Sequence, residues 1–332
     1  MKSKLIVISF MLVCVVLVTL VGCGFANTSI PGTSEGSAST SDSTNSFGSS
    51  AGTTQPSTEG TSLPTTDTTE STATQATQTL PGNELIGTKY TRDQLNAIDS
   101  TRRGYGPGIM VKGERPKLVV DLQRKYRKYD VLFISEDTRY AYLTFNCTDE
   151  VYTTDENGNQ VTTISYILDT LADQRVKAMF FVTLRYCMEH PDTVQRILDD
   201  GHSLGNYGST ERELPGLSVD GIAGEITTLH EYVKAQFGYS MKYMRPYKAI
   251  FSEQVIAVAN SLGYTVIQYS YSYDDGDPNN QPVASLSLQH FKDSLHKGVI
   301  LRFHSNSTTT VKIVRHIVNF LRDEQYKVNH FP

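Results

Sequence analysis

Four short stretches concentrate the side chains that can do chemistry: Thr144-Phe145-Asn146-Cys147-Thr148, Gly201-His202-Ser203-Leu204-Gly205-Asn206-Tyr207, Arg245-Pro246-Tyr247-Lys248 and Leu301-Arg302-Phe303-His304. Cys147 as a thiolate, Glu211, and His202 or His304 are all donors that zinc accepts, so a metal site is one reading of the set. The other reading is structural. A His in a Gly-His-x-x-Gly-Asn run is commonly a buried hydrogen-bonding residue, and His304 can equally be satisfied at a strand end. Asn146 cannot act as a general base, because its amide takes up no proton near neutral pH. Tyr207 is a poor metal donor there too, since a phenol with a pKa of about 10 stays protonated.

The elements that must position these residues follow from periodicity. Tyr140 to Phe145 reads as a strand, and Ile164, Ile167, Leu168 and Leu171 mark one helix face. Val176 to Thr183 is a second strand, followed by a helix with Val194, Ile197 and Leu198 that Gly201 closes. Ile222, Ile226, Leu229 and Val233 mark another helix, and so do Val255, Ile256, Ala259 and Leu262 before Gly263. Tyr264 to Tyr271 and Gly298 to His304 read as the next and the last strand, before a closing helix with Val314, Ile317, Val318 and Leu321. Alternating strands and helices imply a parallel sheet or a β/α barrel, in which chemistry sits at the C-terminal strand ends. The four stretches fall at those ends.

In order and in register, from about Ala141 to Tyr326, these stretches resemble the NodB-homology polysaccharide deacetylases, as do Phe180-Phe181-Val182-Thr183 and Asp199-Asp200-Gly201-His202. Tyr243-Met244-Arg245-Pro246, running on into Ile250-Phe251-Ser252-Glu253, is similar to the muramic-acid deacetylases of spore cortex. The resemblance implies an α/β fold, a distorted (β/α) barrel of the NodB-homology type. It also implies removal of acetyl from an N-acetyl sugar: a metal on one Asp and two His, a second Asp as base and a His as acid. The base position holds Asn146, the metal Asp position Cys147, and the two His positions Tyr207 and Glu211. Arg245, which steadies the base in relatives, and His304, at the acid position, are kept. The expectation is a catalytically impaired homologue that binds N-acetylated cell-wall glycan or peptidoglycan, with no bound metal or other cofactor. The alternative is an active carbohydrate de-N-acetylase with zinc at a rebuilt site; a third reading is a structural or partner-binding protein. Tyr247, Tyr269 and Tyr271, with Tyr273, are expected to offer aromatic faces to sugar in the groove, core packing being the other reading. The chain holds no tryptophan.

The start of the chain has its own chemistry. Lys2 and Lys4 precede an apolar run from Leu5 to Leu20, which is too short to span a bilayer and reads as an export signal. Leu20-Val21-Gly22-Cys23 resembles a bacterial lipobox, which implies a signal peptide over 1–22 and lipidation of Cys23. The expected location is the outer face of the cell membrane, held there by the lipid anchor. Gly24 to Leu80 is rich in Ser and Thr, carries five acids and no Lys or Arg, and cannot build a core. Residues 23–82 are therefore the lipidated Cys and a linker, reaching about 40 to 45 Å as a flexible coil. Residues 83–139 form an extension expected to pack on the barrel of 140–332.

The overall charge of −5 falls to −2 once the linker acids and signal lysines are set aside, which argues against nucleic acid as a partner. Cys147 and Cys187 are the cysteines left in the folded part, and a disulfide between them stays open. Asn157-Gly158 within Tyr152 to Gln160 marks a tight hairpin beside the site. Asp149, Glu150, Asp155 and Glu156 lack the spacing of a calcium loop. The basic run from Arg124 to Lys128 reads as a solvated face.

Overall fold

The computed structural model describes residues 89–331. The signal, Cys23 and the linker lie outside the described residues. Two helices, α1 (Arg92–Ala97) and α2 (Lys117–Lys125), lead into a short strand, β1 (Val131–Leu132). After it come β2 (Tyr140–Cys147), a hairpin of β3 (Tyr152–Thr154) and β4 (Gln160–Thr162), α3 (Thr163–Asp173), β5 (Met179–Val182), α4 (Leu184–Glu189), α5 (Pro191–Asp199) and β6 (Ser203–Asn206). The second half runs α6 (Val219–Phe237), β7 (Tyr243–Met244), α7 (Glu253–Ser261), β8 (Thr265–Ile267), β9 (Tyr271–Ser272), α8 (Ala284–Ser294), β10 (Ile300–His304), α9 (Thr308–Asp323) and β11 (Lys327–Asn329).

The strands other than the hairpin form one parallel sheet in the order β1-β8-β7-β6-β5-β2-β10-β9, with β11 on β2. The sheet curls because its two ends are joined by three residues. Gln268 N–H donates to the Leu132 carbonyl beside β8, and Ser270 N–H donates to the Ile300 carbonyl beside β9, so the chain leaves one neighbour and joins another. This crossing corrects the single strand expected over Tyr264 to Tyr271. The last strand is β11, not the one ending at His304: Val328 pairs with Ala141 at the start of β2. The distorted α/β barrel expected from the sequence is present.

Alternation along each strand sorts the side chains into two layers. Leu143, Phe145, Phe180, Val182, Leu204, Met244, Val266 and Phe303 face the helices in the main core. Tyr142, Met179, Phe181, Tyr207, Ile267 and Ile300 face the lumen. Gly205 is required by the lumen packing, since a Cβ there would lie 2.5 Å from the Phe181 ring. The expected helices are present with their apolar stripes turned inward, Leu198 only half-buried, and Gly201 has the expected left-handed φ of 74°.

The extension is stitched to the barrel by backbone. β1 pairs with β8, and Arg103 and Phe251 exchange N–H···O bonds of 2.8 and 3.0 Å. Gly113 N–H donates to the Leu295 carbonyl and Ser135 N–H to that of Gly298. A Cβ at Gly298 would sit 2.2 Å from the Ser135 oxygen, so only glycine fits where these segments meet.

Candidate active site

Thr144 and Asn146 face the lumen from β2, and Arg245 enters it directly after β7. The guanidinium is fully buried. Its Nη1 donates to Asn146 Oδ1 at 2.9 Å, Nη2 to Thr144 Oγ1 at 2.9 Å and the Gln268 carbonyl at 3.0 Å, and Nε to the Ile267 carbonyl at 3.0 Å. It also lies over the Phe181 ring, 4.1 Å from the centroid. Among the described residues every acceptor it meets is neutral, and burial pushes the guanidinium down to about 9.

Asn146 passes the network on. Its Nδ2 donates to the Tyr207 hydroxyl at 3.0 Å, and the Lys248 amide donates to the same oxygen at 3.2 Å. Burial holds the Tyr207 phenol up at about 12, so it remains a neutral hydroxyl. Lys248 makes its bond with φ at 55°, and Ala249 follows at 58°. An L-residue costs about 1 to 2 kcal/mol in that region. Lys248 is exposed, with its Nζ over the Tyr247 ring, so Lys248→Gly should stabilise the fold by roughly 0.5–1 kcal/mol after glycine's own entropy cost. Urea denaturation would check this, and a loss of stability would contradict it.

Glu211 does not aim at the Asn146 network. It accepts from Thr183 Oγ1 and Arg185 Nε, both at 3.0 Å. Arg185 also binds the Thr148 carbonyl, Asp149 and Glu189. Glu225 of α6 fixes the loop that presents Glu211: its carboxylate takes both the backbone and the hydroxyl hydrogens of Ser209 and Thr210. The Cys147 thiol faces the helix layer, is fully buried and is pushed by that burial to about 12. Cys147 and Cys187 are both free thiols in this structure. His202 lies at the opposite end of the sheet, before β6, where its Nδ1 accepts from the Ala178 amide. The rebuilt zinc set of Cys147, Glu211 and His202 or His304 is thus not assembled, and among the described residues no three His, Cys, Asp or Glu come together to hold an ion. The residues present do not fit a metal: one faces away, one is a neutral phenol inside a hydrogen-bond chain, and one is neutralised by Arg185.

His304 is placed as a reactive side chain would be. It is the cross-strand neighbour of Asn146 in the β10–β2 register, and it is partly exposed. Its Nδ1 lies 2.7 Å from Asp275 Oδ1, and its backbone N–H donates to Asp275 Oδ2 at 2.8 Å. Thr310 Oγ1 donates to the same carboxylate at 3.0 Å. With Nδ1 engaged by Asp275, Nε2 is the ring nitrogen left to exchange a proton. The sequence reading missed Asp275. Its signal was an acid followed by Gly276 just past a strand end, and that glycine leaves room for the imidazole, 3.1 Å from where a Cβ would be.

Of the groove tyrosines, Tyr247 is half-buried at the mouth, with its ring 5.1 Å from that of Tyr207. Tyr269 lies inside the lumen, its ring under the Arg302 guanidinium at 4.7 Å. Tyr271 is a correction: it is fully buried against Phe291 and Phe303 in the helix layer, with Tyr273 beside it. The two residues after the chain crossing have changed faces, so they form no platform with Tyr269. The predicted hairpin is present, with Asp155 and Asn159 closing its turn.

Residues 135–267 match the family model for polysaccharide deacetylase. A 30.6 kDa protein of Geobacillus stearothermophilus is 30% identical over 178 residues, covering 53% of this chain and 67% of that one. The chain belongs to the polysaccharide deacetylase family. It is also similar to the peptidoglycan N-acetylmuramic acid deacetylase PdaA of Bacillus subtilis, 26% identical over 70% of this chain and 86% of that protein. The solved PdaA structure aligns with a TM-score of 0.61 over 70% of this chain and 95% of that one. A family 4 carbohydrate esterase pseudoenzyme from Bacillus anthracis shares the fold, with 20% identity and a TM-score of 0.51 over 60% of this chain and 67% of that one.

Proposed function

We propose that the chain is a cell-surface lipoprotein, anchored through Cys23, that binds N-acetylated wall glycan or peptidoglycan without the metal-dependent hydrolysis of its family. The observation that carries this is the Arg245–Asn146–Tyr207 chain. A neutral amide and a protonated phenol stand where a carboxylate base and an imidazole ligand are needed to activate water. Tyr247 at the mouth supplies an aromatic face for a sugar ring.

The His304–Asp275 pair favours a second reading, an active de-N-acetylase with an atypical metal site. An imidazole oriented by a buried carboxylate is what protonation of a leaving amine needs. One experiment separates the two. The full chain is incubated with insoluble peptidoglycan and with chitin oligomers, and bound protein, released acetate and metal content are measured together. Saturable binding without acetate or stoichiometric metal is expected. Acetate release that requires a bound transition metal would replace the binding reading by the second one, and the absence of both binding and acetate would refute both.

A further inference from the structure

Between α2 and residues 134–136 lies an open pocket of about 400 Å³, lined by Arg115, Arg124, Arg127, Gln123 and Glu136 over an apolar floor of Val120 and Ile134. None of these residues belongs to the His304 end of the barrel. Val120 and Arg124 are four apart on one face of α2, and Arg127 lies in the turn just after the helix. Gln123 builds the wall: its Nε2 donates to the Val131 carbonyl, and its Oε1 accepts from the Phe133 and Ile134 amides.

The arginines are under-used. Arg115 gives Nη2 to the Ser135 carbonyl at 3.1 Å and reaches Glu136 only at 3.9 Å, while its buried Nε has no partner. Arg124 meets Asp121 at 3.2 Å on the exposed side of the helix. The Arg127 side chain makes no hydrogen bond or ion pair among the described residues. The buried Arg115 Nε has a hydrogen to give, which a ligand oxygen would accept. Three guanidinium groups outnumber the two carboxylates near them, Glu136 and the Asp121 that Arg124 meets, and the surplus positive charge makes that ligand an anion. The forks come from α2, from the segment before it and from the turn after it, and a phosphate offers several anionic oxygens to such a set.

We propose that this pocket binds a phosphate group, either free or carried on a phospholipid headgroup. The test is calorimetry on the purified full chain at low salt, with inorganic phosphate in one arm and short-chain phosphatidylglycerol in the other. Saturable binding is expected in at least one arm, and the tighter arm identifies the source. Arg115→Gln or Arg127→Gln should weaken it by about tenfold or more, the effect of losing a charge-assisted hydrogen bond. Glu136→Gln removes the competing carboxylate and should tighten binding, a gain that misfolding cannot mimic. No saturation in either arm, or saturation that survives both arginine substitutions, overturns the proposal.

Discussion

Arg245→Met should destabilise the protein by about 3–5 kcal/mol in urea denaturation at neutral pH. The methionine fills the volume but strands Asn146 Oδ1, Thr144 Oγ1 and the carbonyls of Ile267 and Gln268 in a site that water does not reach. Removing an uncompensated buried charge works the other way, and the magnitudes decide the sign. Several orphaned acceptors, each costing about 1–3 kcal/mol, outweigh it. Asn146→Asp should move stability upward by about 1 kcal/mol, because a neutral acceptor becomes a charged one facing the guanidinium. If both variants unfold at the wild-type denaturant concentration, Arg245 does not organise the lumen as described.

Acid should begin to destabilise the fold before its carboxylates titrate. His202 and His296 are buried, and burial pushes their imidazoles down to about 3 and about 4. The unfolded chain takes up these protons near pH 6.5, while the folded chain refuses them until the pH is far lower. Between those limits the unfolded state binds more protons, so stability is full above about pH 6.5 and falls as the pH drops. At about 1.4 kcal/mol per pH unit for each histidine, the loss by about pH 4 is roughly 6 kcal/mol. That is comparable with the whole stability of a typical domain. Thermal unfolding from about pH 7 to about pH 4 would show it, and the double variant His202→Gln with His296→Gln should flatten the profile. A wild-type profile already flat over that range would count against it.

The barrel could be read from the sequence because the helix stripes and the longer strands, β2 and β10 above all, show a period. β1 and β11 could not: two or three residues carry no period, and both are strands only because β8 and β2 offer them an edge. The crossing at Gln268 to Ser270 was hidden for a related reason. The run from Tyr264 to Tyr271 has no Gly or Pro to break it, and only the closing of the sheet shows that Tyr269 and Tyr271 lie on different faces. The substitutions at Asn146, Cys147, Tyr207 and Glu211 were visible by position. That Asn146 and Tyr207 bond each other, and that Glu211 turns to Arg185, depends on the fold. Asp275 escaped because the glycine after it is a weak mark beside a second acid in the same loop, and its partner is 29 residues away.

The backbone stitching of the extension decides where the chain can be cut. A fragment starting at Tyr140 would lose β1, and with it the acceptors at Asp130 and Leu132 that pair Val266 and Gln268. A fragment trimmed to the matched residues 135–267 would also lose β9, β10 and β11, baring β2 in the middle of the sheet. Exposed parallel strands of Val, Ile and Phe template one another across molecules. Such pieces should come out as aggregates, whatever the merit of the residues they contain.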